Sequence, residues 1–352
     1  MAKGKTTERQ TLEQAVASVN KEWGTTVVQR GTKMGDYKRI PFTSPRLNYI
    51  THGGLPMGKL IEFFGAEHSG KTTTALDVVA NYQIMEDAKD VLWVDPEFAL
   101  DEVWATKLGV DADNMLFMRP DTQSAEKIFD DTLAIMETGT IGLVVIDSFG
   151  VLQSDKAYGE SVADKNYGGI ARALTDFAKK ALVLANRYTC TVIGLNQLRE
   201  KMDSTYGGTT RVGGRGWQHD ITVALEFRKG YSFNDKYVKV TQDAENPMGN
   251  IVNVAMPKNR TCPPNRRNGF YTLRYDIGID YIYDLIEVCK KFEVIKPTSE
   301  GSSWYILKDT ITGEEIKKLQ GQSAVSDFLS AEENIDVLKM YEKYLDEKIK
   351  ED

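Results

Sequence analysis

Apolar positions along the chain fall into two spacings. Leu12, Val16, Val19 and Trp23 recur at helical intervals, after Thr11 and Gln14 with capping-box spacing and before Gly24, which suits the position just past a helix end. One short amphipathic helix is predicted there, some thirty residues of turn formers ahead of the first strong strand. Between Leu60 and Gln197 the pattern changes to near-continuous apolar runs, Leu60–Phe64, Val91–Asp95, Met115–Met118, Gly142–Asp147 and Thr191–Gln197, separated by helical stretches. That alternation predicts a parallel sheet covered on both faces. The runs Ile221–Arg228, Tyr237–Gln242, Ile251–Met256 and Tyr271–Tyr275 follow without helices between them and predict an antiparallel extension. Beyond them, Ile279–Lys290 reads as a helix, Trp304–Leu307 as a short strand, and Ala324–Leu329 and Ile335–Ile349 as helices. The expected division is 1–35 for a helix and linker, 36–275 for the core and 276–352 for a small α/β tail domain.

Composition narrows the class without naming a function. With 352 residues, 41% hydrophobic and 27% charged, the chain can bury a substantial core. No apolar run approaches the ~20 residues of a membrane span, and Met1–Gln14 is too polar for a signal peptide, so a soluble cytoplasmic protein is expected. Cys190, Cys262 and Cys289 have no metal-ligand spacing and are expected as reduced thiols. The net charge of −7 argues against nucleic acid until its location is examined. Residues 301–352 hold seven Lys against twelve Asp and Glu, which accounts for most of that excess. Leu198–Gly216 and Pro257–Arg267 each carry four basic residues and are candidate anion contacts.

The stretch Gly65-Ala66-Glu67-His68-Ser69-Gly70-Lys71-Thr72, followed by Thr73, has the Gly-x4-Gly-Lys-Thr spacing of a phosphate loop between a predicted strand and helix. Its backbone N–H groups can converge on phosphates, Lys71 can reach the β and γ oxygens, and the Thr72 hydroxyl can ligate Mg²⁺. His68 in that loop is expected to be solvated. Asp147 ends the run Val144–Ile146 and is the expected second metal ligand, of Walker B type. Asp95 and Glu97 follow the second strand; Glu97 is the candidate base that orients and deprotonates an attacking water.

Taken together, Gly53-Gly54-Leu55-Pro56-Met57-Gly58, Gly65–Thr73, Phe98-Ala99-Leu100-Asp101, Lys107-Leu108-Gly109-Val110-Asp111, Val144–Ser148 and Asn196-Gln197-Leu198-Arg199 resemble bacterial RecA recombinases. Gly278-Ile279-Asp280-Tyr281 and Gly321-Gln322-Ser323 extend the resemblance into the tail. The fold it implies is a RecA-like P-loop NTPase core with a mostly parallel central sheet, an N-terminal oligomerisation helix and a small α/β C-terminal domain. It implies ATP and Mg²⁺ as cofactors, Glu97 as catalytic glutamate, Trp104 stacked on adenine and Gln197 as sensor of the γ-phosphate. Lys258 and Arg260 fall where the family places cations that reach a neighbouring subunit's nucleotide; here Arg stands where the family typically has Lys.

The resemblance also implies two DNA-binding loops. The second is Arg199–Gly216, with Arg199, Lys201, Arg211 and Arg215 for phosphates, Tyr206 for stacking, and Gly207, Gly208, Gly213 and Gly214 for flexibility. The first is Leu152–Tyr167, followed by Arg172 and Lys179 on the next helix; Lys156 and Lys165 are opposed there by Asp155, Glu160 and Asp164, so its DNA role rests on resemblance alone. Implied partners are single-stranded DNA, homologous duplex, further copies of the chain in a helical filament, and single-strand-binding and loader proteins. A ring-forming DNA motor and an ATP-binding coat filament with little turnover are the alternatives.

Overall fold

The computed structural model describes residues 11–24, 27–28, 37–122, 124–155, 169–200, 209–241 and 246–351. Two compact units emerge, Met1–Tyr37 and Lys38–Asp352. In the first, helix α1 (Leu12–Trp23) begins with a complete capping box, the Thr11 hydroxyl accepting from Gln14 N–H, and ends at Gly24 in left-handed conformation. None of its residues is buried, and Leu12 and Trp23 are exposed.

In the second unit, β1 (Arg39–Ile40) and β2 (Leu55–Pro56) form a small antiparallel pair around α2 (Pro45–Ile50). The core follows as β3 (Leu60–Gly65), α3 (Lys71–Gln83), β4 (Asp90–Val94), α4 (Glu102–Lys107), β5 (Met115–Met118), α5 (Ala125–Glu137), β6 (Ile141–Ile146), α6 (Gly169–Tyr188) and β7 (Thr191–Glu200). Next come β8 (Thr209–Arg211), α7 (Gly214–Asp220), β9 (Val223–Phe233), β10 (Lys239–Val240), β11 (Gly249–Asn259), β12 (Asn268–Arg274) and β13 (Gly278–Ile279). These strands make one sheet in the order β13-β12-β11-β9-β3-β7-β6-β4-β5, with β10 on β9 and β8 on β7. The five predicted apolar runs are its parallel half. One expectation changes: β9 is parallel to β3, and the antiparallel extension consists of β10 and β11 on β9, followed by β12 and β13. Strand β8 and helix α7 lie between β7 and β9, so β9 can run with β3 although no long helix precedes it.

Alternation along β3 sends Ile61 and Phe63 into the layer under α3 and Leu60 and Phe64 into the layer under α5 and α6. Glu62 shares the second face, fully buried. The tail is α8 (Tyr281–Lys291), β14 (Ile295–Pro297), β15 (Trp304–Lys308), β16 (Glu315–Gln320), α9 (Gln322–Ser330) and α10 (Ile335–Lys350). Its three-stranded antiparallel sheet covers a separate apolar cluster built on Leu285, Ile295, Leu307, Val325 and Tyr341. Buried Asp284 of α8 ties it to the core, accepting from Ser44 Oγ at 2.5 Å and Thr272 N–H at 3.0 Å.

Candidate functional site

At the C-terminal end of β3 the chain turns through residues 66–70 into α3, whose N-cap Gly70 is left-handed and offers no side-chain cap. The free N–H groups of that first turn therefore face the loop. Lys71 Nζ donates to the carbonyls of Ala66 (2.7 Å) and Gly65 (3.2 Å). Burial pulls its pKa down, while Asp147, Glu67 and Glu97 oppose that shift. Thr72 Oγ1 donates to Asp147 Oδ2 at 2.9 Å. Burial pushes the Asp147 carboxyl up to about 7, the Thr72 hydrogen bond acts against it, and the charges of Glu97 and Asp95 add to it.

The two acids after β4 have different surroundings. Asp95 is buried, accepts from Ala99 and Leu100 N–H, and lies 3.5 Å from Arg119 Nε, so it holds the turn. Glu97 instead accepts from Ser148 Oγ at 2.5 Å, directly after Asp147. Ser148 Oγ in turn accepts from Gly150 N–H at 3.1 Å. Gln197, level with Gly65 across the β3/β7 pairing, reaches the same turn: a Cβ on Gly150 would stand 3.2 Å from Gln197 Oε1. Lys71, Thr72, Asp147, Glu97 and Gln197 are thus assembled at adjoining strand ends, where open α/β sheets bind ligands.

A cleft of about 440 Å³ runs from His68, Ser69, Lys71 and Thr73 to Trp104. Asn250, Leu273, Tyr275 and Lys229 also line it. Tyr275 Oη donates to Asn250 Oδ1 at 2.9 Å. Sequence reasoning missed these four and Ser148: β9, β11 and β12 carry no motif, and only the sheet order brings their ends to the loop. The donor set suits a nucleoside triphosphate with a divalent cation, and the buried Ser69 Oγ has no hydrogen-bond partner among the described residues.

Lys258 and Arg260 lie elsewhere. Lys258 is level with Ala224, which is level with Glu62, and Arg260 N–H bonds Thr222, so both sit toward the start of β3 rather than its phosphate-loop end. Lys258 Nζ donates to the carbonyls of Gln218 (2.6 Å) and His219 (2.9 Å), and Arg260 Nη2 to that of His219 (3.0 Å), at the C-terminus of α7. Burial, then the charge of Arg260, brings the Lys258 pKa down to about 8.

The expected DNA contacts scatter. Arg199 lies on β7, and Lys201, Tyr206, Gly207 and Gly208 fall outside the described residues, as do the first-loop positions from 156 to 168. Arg172 and Lys179 are exposed on α6 and Arg215 is exposed on α7. Arg211 is placed differently from the expectation: its Nη1 pairs with buried Glu62 at 2.5 Å and its guanidinium lies 4.0 Å from the Phe64 ring centroid. Asn196 bridges the same carboxylate (2.9 Å) and the Val212 carbonyl (2.8 Å). Gly213 and Gly214 form the turn into α7 rather than a free loop; a Cβ on Gly213 would stand 2.2 Å from Leu174.

The strand, Gly-rich turn and helix of β3 and α3, facing an acid at the end of β6, define an α/β protein of the P-loop class. A family profile described as "RecA N-terminal domain" matches residues 10–280. The chain is 32% identical to Protein RecA of Fusobacterium nucleatum subsp. nucleatum over 91% of its length and 82% of that protein's. It is 31% identical to Protein RecA of Thermotoga neapolitana (97% and 93% covered) and 33% to that of Mycobacteroides abscessus (96% and 92%). The chain belongs to the RecA family of recombinases.

Proposed function

We propose that this recombinase hydrolyses ATP in a DNA-dependent manner, assembles as a filament on single-stranded DNA, pairs that strand with homologous duplex and exchanges strands. The observation that carries the reading is the separation of its cations: Lys71 sits in the cleft with Thr72, Asp147 and Glu97, whereas Lys258 and Arg260 lie away from the phosphate-loop end of β3, on the C-terminal carbonyls of α7. Cations so placed serve a nucleotide held by another copy better than one held by their own loop. The loop amides, Ser69 and Lys71 would hold the triphosphate, with Trp104 and Tyr275 flanking the base and Asp147 and Thr72 holding Mg²⁺. Bound Mg²⁺ supplies charge neutralisation on the phosphates.

Glu97, held by Ser148, is the base that orients water. Gln197 shares the Gly150 turn with Ser148, which supports its role as a sensor linking the terminal phosphate to the chain entering the second loop. Residues 1–35 carry assembly, through the exposed apolar stripe of α1, residues 36–275 the ATPase core and DNA loops, and residues 276–352 the tail domain. Among the described residues no helix is long and apolar enough to cross a membrane, in keeping with a cytoplasmic site of action. The test is ATP turnover without DNA, with single-stranded DNA and with duplex, alongside electron microscopy of the same mixtures. Stimulation by single strands together with filaments is expected. Turnover indifferent to DNA with only monomers on the grid overturns the reading, and unwinding without strand exchange transfers it to a ring motor.

A further inference from the structure

Gly70 is the pivot of the phosphate loop. Its left-handed φ of 97° turns the chain into α3, and its carbonyl accepts from Thr74 N–H at 3.0 Å and Thr74 Oγ1 at 2.8 Å. Directly behind it stands a phenol from another part of the fold. Tyr271 of β12 is fully buried, and its Oη lies 2.8 Å from Thr74 Oγ1 and 3.4 Å from the Gly70 carbonyl. A Cβ on Gly70 would stand 2.8 Å from that oxygen, so loop and phenol are packed against each other.

The two hydroxyls can be ordered in either sense. Either Tyr271 donates to Thr74 while Thr74 donates to Gly70, or Thr74 donates to Tyr271 while Tyr271 donates to Gly70; in both the chain of hydrogen bonds ends on the Gly70 carbonyl. Burial pushes the phenol above its usual range, so it remains a donor. Alternation then extends the same face of β12 toward Leu273 and on to Tyr275, both of which line the nucleotide cleft. One strand face therefore touches the phosphate loop at its pivot and also lines the cleft through Leu273 and Tyr275.

We propose that Tyr271 is a positioning residue for nucleotide binding, setting the Gly70–Lys71 turn at a fixed distance from the Leu273/Tyr275 wall. The proposal rests on the reading of the cleft as an ATP site. Its action passes through the Thr74 hydroxyl, so loss of either hydroxyl acts on affinity for the whole nucleotide and leaves the chemistry of bound ATP alone.

The test is calorimetric titration of MgATP into the full chain and its Tyr271→Phe, Thr74→Val, Thr74→Ser and Tyr271→Phe/Thr74→Val variants, with DNA-stimulated kcat and KM and a thermal melt for each. Tyr271→Phe and Thr74→Val should each weaken MgATP by about three- to tenfold, the fold-change of one ordinary hydrogen bond. KM should rise by the same factor with kcat changed by less than about twofold. Thr74→Ser should restore parental affinity, and the double variant should be no weaker than the worse single. A lowered melting temperature in Tyr271→Phe with unchanged MgATP affinity makes the phenol a packing residue and overturns the proposal alone. An unmodified protein that fails to bind MgATP overturns the ATP-site reading and this proposal with it.

Discussion

Arg211→Met separates two roles for one guanidinium. In the structure Arg211 neutralises Glu62, a carboxylate in the middle of β3 with no exposed surface, and its side chain is 23% exposed. Replacing it leaves Glu62 with the Asn196 amide at 2.9 Å and the Trp217 side chain, and with no cation hydrogen-bonded to it among the described residues. Breaking a buried pair by removing one partner costs roughly 3–5 kcal/mol; the surviving amide bond and partial solvent access place this case near about 3 kcal/mol. At about 2.1 cal/mol/K per residue over the Lys38–Asp352 unit, that lowers Tm by roughly 5 °C.

The loss is pH-dependent. Burial already raises the Glu62 pKa, with Arg211 the main opposing influence, so removing Arg211 raises it further. A carboxyl whose folded pKa exceeds its unfolded one is tolerated below the unfolded value and penalised as pH climbs through the folded one. The Tm gap between parent and variant should therefore be smaller at pH 5 than at pH 8, by scanning calorimetry. Adding Glu62→Gln should recover most of the loss, because the orphaned charge is then gone. Equal Tm values for parent and Arg211→Met at both pH values, with weaker single-strand binding, would mean that Glu62 does not depend on Arg211 and would make Arg211 a phosphate ligand.

Glu97→Gln should lower single-strand-stimulated phosphate release by about 10²-fold or more while calorimetric MgATP binding stays within about twofold; unchanged turnover removes Glu97 from the role of base. Asp284, whose carboxyl burial raises to about 7, binds its proton more tightly folded than unfolded, so it contributes stability that fades as pH rises from about 4 to about 7. Asp284→Asn should remove part of that slope, at most about 1.4 kcal/mol per pH unit, in melts across this range. Trp104→Ala should raise KM for ATP severalfold, since an aromatic stack is worth about 0.5–1.5 kcal/mol, with kcat little changed in steady-state assays.

The parallel half of the sheet was readable because β3 to β7 each contain a near-continuous apolar run and are separated by helices. The capping box of α1 was equally explicit, since its signals lie within four residues. The direction of β9 was not readable, because a strand's direction depends on the path of the chain that precedes it. At the site, Lys71, Thr72 and Asp147 belong to contiguous motifs, whereas Asn250 and Tyr275 meet the loop only through the order β12-β11-β9-β3. Arg211 shows the limit most clearly. A basic residue beside glycines suggests a phosphate contact, but the acid in an otherwise apolar β3 run, Glu62, was the overlooked sign that a cation had to be buried nearby.

If, as proposed, each ATP site is completed by a second copy, its two halves can be supplied by different variants. Lys71→Ala protein supplies an intact Lys258 and Arg260, and Lys258→Ala/Arg260→Ala protein supplies an intact phosphate loop, so each should be inactive alone. Mixed in equal amounts on single-stranded DNA, random assembly places intact halves together at about one site in four, and ATP turnover should reach roughly a quarter of the parental rate. A mixture no more active than its separate components would show that Lys258 and Arg260 do not complete a neighbour's ATP site.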